Sequence, residues 1–106
     1  MSQIAMISPN VVFTTSGHPV LPILREHHYV YNLSIHVGRN VWIGSGCQIM
    51  PGITIGDNSV IGAGSVVTSD ILANVVGFGV PCKVTREIGE KDEKYYYKNR
   101  EFDVLE

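Results

Sequence analysis

The chain has 106 residues, enough for one domain and too few for two. Its net charge is −2 and its pI is near 6.0, which excludes a general nucleic-acid binder. Hydrophobic residues make up 44% and charged residues 17%, which excludes a disordered chain, and no apolar run approaches the roughly 18 residues that span a bilayer.

At the N-terminus, MSQIAMISPN has neither a basic region nor an apolar one, so no secretory signal and no membrane partner are expected. A partial repeat then begins at Ile7, with Val11 in its fifth place and Phe13 opening the next unit. Residues from about 14 to 34 break that repeat with an insert that holds His18, His27 and His28 and two prolines. A long excursion inside a regular array is usually functional. It is expected to leave one corner of the fold and to reach an adjacent subunit.

From Val37 a period of six takes over. Every sixth residue is aliphatic and β-branched: Val37, Ile43, Ile49, Ile55, Ile61 and Val67. The fifth place holds Val41, Cys47, Ile53, Ser59, Ser65 and Ile71. Six residues match neither a helical period nor a plain hairpin array. β-Branched residues favour strands, while Gly and Asn accept the positive φ of a tight corner. The simplest solid with these properties is a triangular prism. Each unit contributes one short strand and one corner, three units make one coil, and backbone bonds run from coil to coil as in a parallel sheet. First- and fifth-place residues then point inward. By period-2 alternation Trp42, Gln48, Thr54, Val60, Val66 and Leu72 point outward. Val60, Val66 and Leu72, with Trp42 nearby, are expected to form an apolar patch, and three-fold packing of prisms would cover it.

The repeat coils are expected over about 35–85 and a C-terminal extension over 86–106. Between Ile35 and Thr85 only Arg39, Asp57, Asp70 and Lys83 are charged, whereas twelve of the last twenty-one residues are. The first stretch is therefore packed sheet and the second a solvated or partner-contacting tail. Within that tail, Gly89–Arg100 is expected to hold a short helix, or else to form an irregular arm with Tyr95, Tyr96 and Tyr97 docked on a neighbour.

Three blocks go beyond the repeat: TSGHPV at 15–20, NVWIGS at 40–45 with PGITIGDNSVIGAG at 51–64, and GVPCKVTR at 79–86. With the hexapeptide repeat, they resemble the hexapeptide-repeat O-acetyltransferases, in the maltose and galactoside branch, over about residues 7–97. The resemblance implies an all-β, left-handed parallel β-helix, a homotrimer with active sites between subunits, acetyl-CoA as donor and a small carbohydrate as acceptor. It also implies that this chain corresponds to the C-terminal portion of such an enzyme. The family's N-terminal helical segment and earlier coils, which supply acceptor contacts, have no counterpart in these residues.

His18 is the leading catalytic candidate. Acyl transfer from a thioester to a hydroxyl needs a base for the hydroxyl proton, and histidine is the side chain best suited to that near neutral pH. Gly17 and Pro19 would fix the loop around it. A surface loop histidine is the plainer reading, and the TSGHPV block favours the base. The resemblance implies that Trp42 walls the substrate cleft and that the Ser45 backbone N–H stabilises the oxyanion. It places the acetyl-CoA contacts at Ser45, Ala63, Thr68, Ser69, Lys83 and Arg86, with Ser69 standing where the family often has Lys. Lys83 and Arg86 suit phosphates by their charge, or else solubilise the surface.

The other candidates have plainer readings. His27 and His28 are expected to face solvent and His36 to sit on the prism's flank. Cys47 is expected in the core and Cys82 in a packed turn, without a paired base. Two further functions stand beside the acetyltransferase. One is a non-catalytic trimeric β-helix that binds CoA at most. The other is a metal-dependent β-helix hydratase, for which three histidines would have to converge; their spacing here lacks the gamma-type carbonic anhydrase pattern, and no metal ligands are assigned. Two cysteines are too few for a disulfide framework and point to a reducing cytoplasm.

Overall fold

A computed structural model describes residues 5–98, 100 and 101. The chain winds as a left-handed parallel β-helix of triangular section. Its first coil takes β1 (Ala5–Ile7) on one face and β2 (Val12–Phe13) on the next. The excursion follows, with β3 (Ser16–Gly17), α1 (Pro22–Glu26) and β4 (Tyr31–Asn32). β5 (His36–Val37) then supplies the third face. The second coil is β6 (Val41–Ile43), β7 (Gln48–Ile49) and β8 (Thr54–Ile55). The third has β9 (Val60–Ile61) and β10 (Val66–Val67), with Ile71 bridging to Ile55 on the third face. β11 (Val75–Phe78) closes the first face in parallel with β9.

Pairing shows where the period holds and where it slips. Trp42 pairs with Val60, eighteen residues on, as three six-residue units require. Met6 pairs with Trp42, thirty-six residues on, so the first coil carries one extra coil's worth of chain as its excursion. Val60 pairs with Val76, only sixteen residues on, so the last coil is two residues short. The loss falls between Val67 and Ile71. Ile71 therefore stands beside Ile55 in the first place of the repeat, not in the expected fifth, and is buried there.

The inward places behave as the period demands. The six residues expected in the first place are buried, as are the five that keep the fifth place, and Ile43, Ile49, Ile55 and Ile61 are fully buried. Full burial of an Ile side chain contributes roughly 1.5–3 kcal/mol. The corners turn through positive φ at Asn10, Asn40, Asn58 and Asn74 and at Gly46, Gly52 and Gly64. Three of the asparagines also form a ladder: the Asn40 amide donates to Asn58 (3.4 Å) and the Asn58 amide to Asn74 (2.8 Å).

Ser59 and Ser65 are the two buried polar side chains among the described residues, and both sit against the irregular last coil. Ser59 Oγ donates to the Leu72 carbonyl (2.5 Å) and accepts from the Val75 N–H (3.2 Å). Ser65 Oγ donates to the Gly62 carbonyl (2.7 Å) and accepts from the Gly79 N–H (3.0 Å). Each hydroxyl satisfies backbone groups where the coil departs from its regular path. Asp70 does similar work outside, accepting the Thr54 N–H at 2.8 Å beside the shortened corner.

Two expectations change. Val60, Val66 and Leu72 do not form one patch. A six-residue step advances one face, so Val60 lies in the first sheet, Val66 in the second and Leu72 beyond both. The outward apolar column instead runs up the first sheet through Met6, Trp42, Val60 and Val76, which are register partners. The second change is at the C-terminal end. β12 (Lys83–Glu87) reverses and pairs antiparallel with β11, so the coil-to-coil parallel pattern ends there. After it come α2 (Glu90–Lys94) and an antiparallel pair, β13 (Tyr95–Tyr97) with β14 (Arg100–Glu101). The short helix is present, and the tyrosines continue as strand. No helix among the described residues is long and apolar enough to cross a membrane.

Candidate active site

His18 follows β3 directly. β3 and β4 pair antiparallel, Ser16 with Asn32 and Gly17 with Tyr31, and the Ser16 hydroxyl donates to the Asn32 side-chain oxygen at 2.5 Å. A side chain at position 17 would run into the Tyr31 ring and hydroxyl, so glycine lets that ring lie directly over β3. Between the strands, Pro22 starts α1 at a position where its missing N–H costs nothing. The Tyr29 N–H bonds to the Leu24 carbonyl (3.0 Å) and closes that turn. The Tyr29 carbonyl then lies 3.4 Å from His18 Nδ1. With Nδ1–H donating to it, at the long end of hydrogen-bond range, Nε2 carries the lone pair and is the acceptor of the ring. His18 itself is exposed.

Trp42 is on the outward side of β6, half exposed at 50%, and its indole N–H donates to the Ser8 hydroxyl at 3.2 Å. One corner further, the coils stack closely. The Gly64 N–H bonds to the Ser45 carbonyl (2.8 Å) and the Gly46 N–H to the Pro9 carbonyl (3.1 Å). A Cβ on Gly44 would meet the Ala63 backbone nitrogen at 2.6 Å, so the two corners touch through backbone. A Cβ on Gly64, by contrast, would meet nothing within 4 Å. Ser45 and Ala63 therefore share a stacked corner with open space beside it. Thr68 and Ser69 are exposed on the shortened corner of the third coil.

Lys83 and Arg86 are three apart, which in a regular strand puts them on opposite faces. A bulge between Val76 and Gly77 changes this. Lys83 pairs with Phe78 and Arg86 with Val76, two residues apart on β11, so both cations share one face. Arg86 is not a lone charge, however. Its Nη1 and Nη2 donate to the two carboxylate oxygens of Asp92 at 2.9 and 2.8 Å. The guanidinium holds the Asp92 carboxyl well below the usual carboxylate range, with help from the Gly89 N–H that donates to Asp92 Oδ2 at 2.9 Å. The same pairing raises Arg86 further above its already high value.

The remaining candidates separate cleanly. Cys47 is fully buried with its thiol 3.1 Å from the Gly62 carbonyl. Cys82 is buried, and burial pushes its thiol up, opposed by a hydrogen bond with Ser65. Neither is in a disulfide, and neither has the exposed, electropositive surroundings of a nucleophile. His27 ends α1, His28 turns through φ 63° and His36 is on the outside of β5; all three are exposed. Among the described residues no three His, Cys, Asp or Glu side chains converge as metal ligands. Two contributors had no signal in the sequence: the Tyr29 carbonyl, which a loop path places, and Asp92, one acid among several in a charged tail.

Residues 34–69 match the family model for the bacterial transferase hexapeptide (six repeats). The chain is 56% identical over 94 residues to a galactoside O-acetyltransferase of Escherichia coli (strain K12), a match covering 89% of this chain and 46% of that protein. A solved galactoside acetyltransferase in complex with coenzyme A is similar with a TM-score of 0.90 and 53% identity, over 94% of this chain and 50% of that one. A maltose O-acetyltransferase from Clostridium difficile 630 is similar with a TM-score of 0.79 and 52% identity, over 81% of this chain and 46% of that one. The chain thus spans about half the length of the relatives it matches.

Proposed function

The chain carries the bacterial transferase hexapeptide on a left-handed β-helix, and from that premise we propose that it serves acetyl transfer from acetyl-CoA to a sugar hydroxyl, with His18 as general base. One observation carries the reading. The Tyr29 carbonyl beside Nδ1 selects the tautomer whose Nε2 accepts a proton. The names of the relatives, galactoside and maltose O-acetyltransferases, one of them in complex with coenzyme A, support donor and acceptor class.

The donor's thioester supplies the acyl group. His18 Nε2 takes the proton of the acceptor hydroxyl as that oxygen attacks the acyl carbon. The Ser45 backbone N–H holds the carbonyl oxygen as it gains charge. His18 then returns its proton to the departing thiolate. Trp42 walls the acceptor side. Ala63, Thr68 and Ser69 lie along the donor, where the open corner beside Gly64 accommodates a chain against backbone. Lys83 and Arg86, on one face, meet its phosphates.

The assembly proposed is a homotrimer. α1 buries none of its residues within the chain, and Val20 is 90% exposed, with Leu21, Ile23, Val30 and Leu33 also open. Such a set of apolar side chains calls for a neighbour, and the excursion that carries His18 carries them too. Two free, buried thiols suit a cytoplasmic setting.

The test is acetyl-CoA-dependent thiol release by the purified chain over maltose, glucose, galactosides and amino sugars, beside His18→Ala. Sugar-dependent release is expected, with a loss of roughly 10²–10⁴-fold in the variant and an unchanged oligomer. Retained turnover in the variant would remove His18 as the base. CoA binding without transfer to any sugar would leave the chain a CoA-binding β-helix.

A further inference from the structure

Arg86 and Asp92 are six residues apart and join two elements that the repeat does not connect, β12 and α2. The donors of the guanidinium can be accounted for one by one. Nη1 gives one hydrogen to Asp92 Oδ2 and the other to the Glu87 carbonyl, at 2.9 and 3.2 Å. Nη2 gives one hydrogen to Asp92 Oδ1 at 2.8 Å. Among the described residues, Nε–H and the second Nη2 hydrogen are left over. These two lie on the same edge of the planar group and form a parallel fork, the geometry that matches two oxygens of a phosphate. Asp92 is itself anchored from the other side by the Gly89 N–H at 2.9 Å. The result is an arginine fixed on one edge and open on the other.

We propose that Asp92 is a positioning residue for the acyl donor: it holds Arg86 by its inner edge so that the outer edge presents a ready fork to a phosphate of CoA. This deepens the function proposed above and rests on its donor reading. The competing effect is electrostatic, because Asp92 cancels the charge that attracts a phosphate. The pair is 40% and 31% exposed, so water and salt screen that charge heavily, whereas a lost constraint on a long side chain is not screened. Positioning therefore outweighs neutralisation. Lys83, on the same face, supplies the remaining positive charge.

The test is CoA affinity together with steady-state kinetics for acetyl-CoA in the full chain, Arg86→Ala, Asp92→Ala, Asp92→Asn and the Arg86→Ala/Asp92→Ala double variant. Asp92→Ala is expected to raise Kd and KM for the donor roughly tenfold, the size of one weakened charge-assisted hydrogen bond, with kcat within twofold. Asp92→Asn, which keeps one acceptor oxygen, is expected to recover part of the loss. In the Arg86→Ala background, removing Asp92 is expected to cost nothing more. An effect of Asp92→Ala that persists undiminished in that background would make the residue merely structural and overturn the proposal. So would unchanged or tighter binding in Asp92→Ala alone, while Arg86→Ala still weakens it. Full binding by Arg86→Ala would remove Arg86 from the donor site and overturn the proposal too, whereas no CoA binding by the unaltered chain would overturn the donor reading beneath it.

Discussion

The second and third coils and the excursion at 14–34 obey different rules within one chain. In the coils each aliphatic residue at the first place is enclosed by its own chain, and Ile43, Ile49, Ile55 and Ile61 have no exposed surface. In the excursion, Val20, Leu21 and Ile23 are as apolar but stand open, and α1 buries nothing. The coils solve their burial problem locally, by stacking on the next coil. The excursion leaves its own unsolved within one chain, and it is the segment that carries His18. Burial is concentrated in one region, and the proposed base sits in the other.

The contrast can be broken most severely at the axis. Ile61→Ala removes a fully buried side chain between Ile43 and Gly77 and is expected to cost about 2–5 kcal/mol, read from the denaturant midpoint. A loss under about 1 kcal/mol would mean that the prism relaxes around the gap. Ser59→Ala comes next. It leaves the Leu72 carbonyl and the Val75 N–H without their side-chain partner, at an expected cost of about 1–3 kcal/mol. Ser59→Cys, with a longer and weaker donor, should fall between the two. The smallest effect on the fold is expected at Val20. Val20→Glu should leave the circular dichroism of the coils unchanged and their unfolding within about 0.5 kcal/mol, while sedimentation shows the proposed trimer dissociating to monomer. A trimer that survives this change would take Val20 out of the interface.

The period of six made the prism legible because its constraint is local. A strand with a β-branched inward residue and a corner with Asn or Gly each need only a few neighbouring residues to be recognised, and three such units close a coil. The same reasoning failed where it treated six-residue spacing as proximity. Val60 and Val66 share a place in the repeat but not a face, because each unit turns the chain by a third of a circle, and the shortened corner takes Leu72 out of that place as well. It failed again at Ile71, where two missing residues moved the chain by two places, from the fifth place to the next first place.

Residue chemistry made His18 a candidate base and Lys83 and Arg86 candidate phosphate contacts, each beside a plainer surface reading; the family resemblance favoured them and alone supplied Ser45. Their relations were not written in the spacing. The Tyr29 carbonyl reaches His18 because β3 and β4 pair around α1, and a loop's path follows from that pairing, not from any period. Lys83 and Arg86 share a face because of a bulge, which inserts one residue and inverts the expectation of alternation. Asp92 was one of several acids in a charged tail until the turn at Gly89 brought it to Arg86. Periodic packing repeats the same contact and so can be read from one unit, whereas a site is a single arrangement of distant groups that only the folded path brings together.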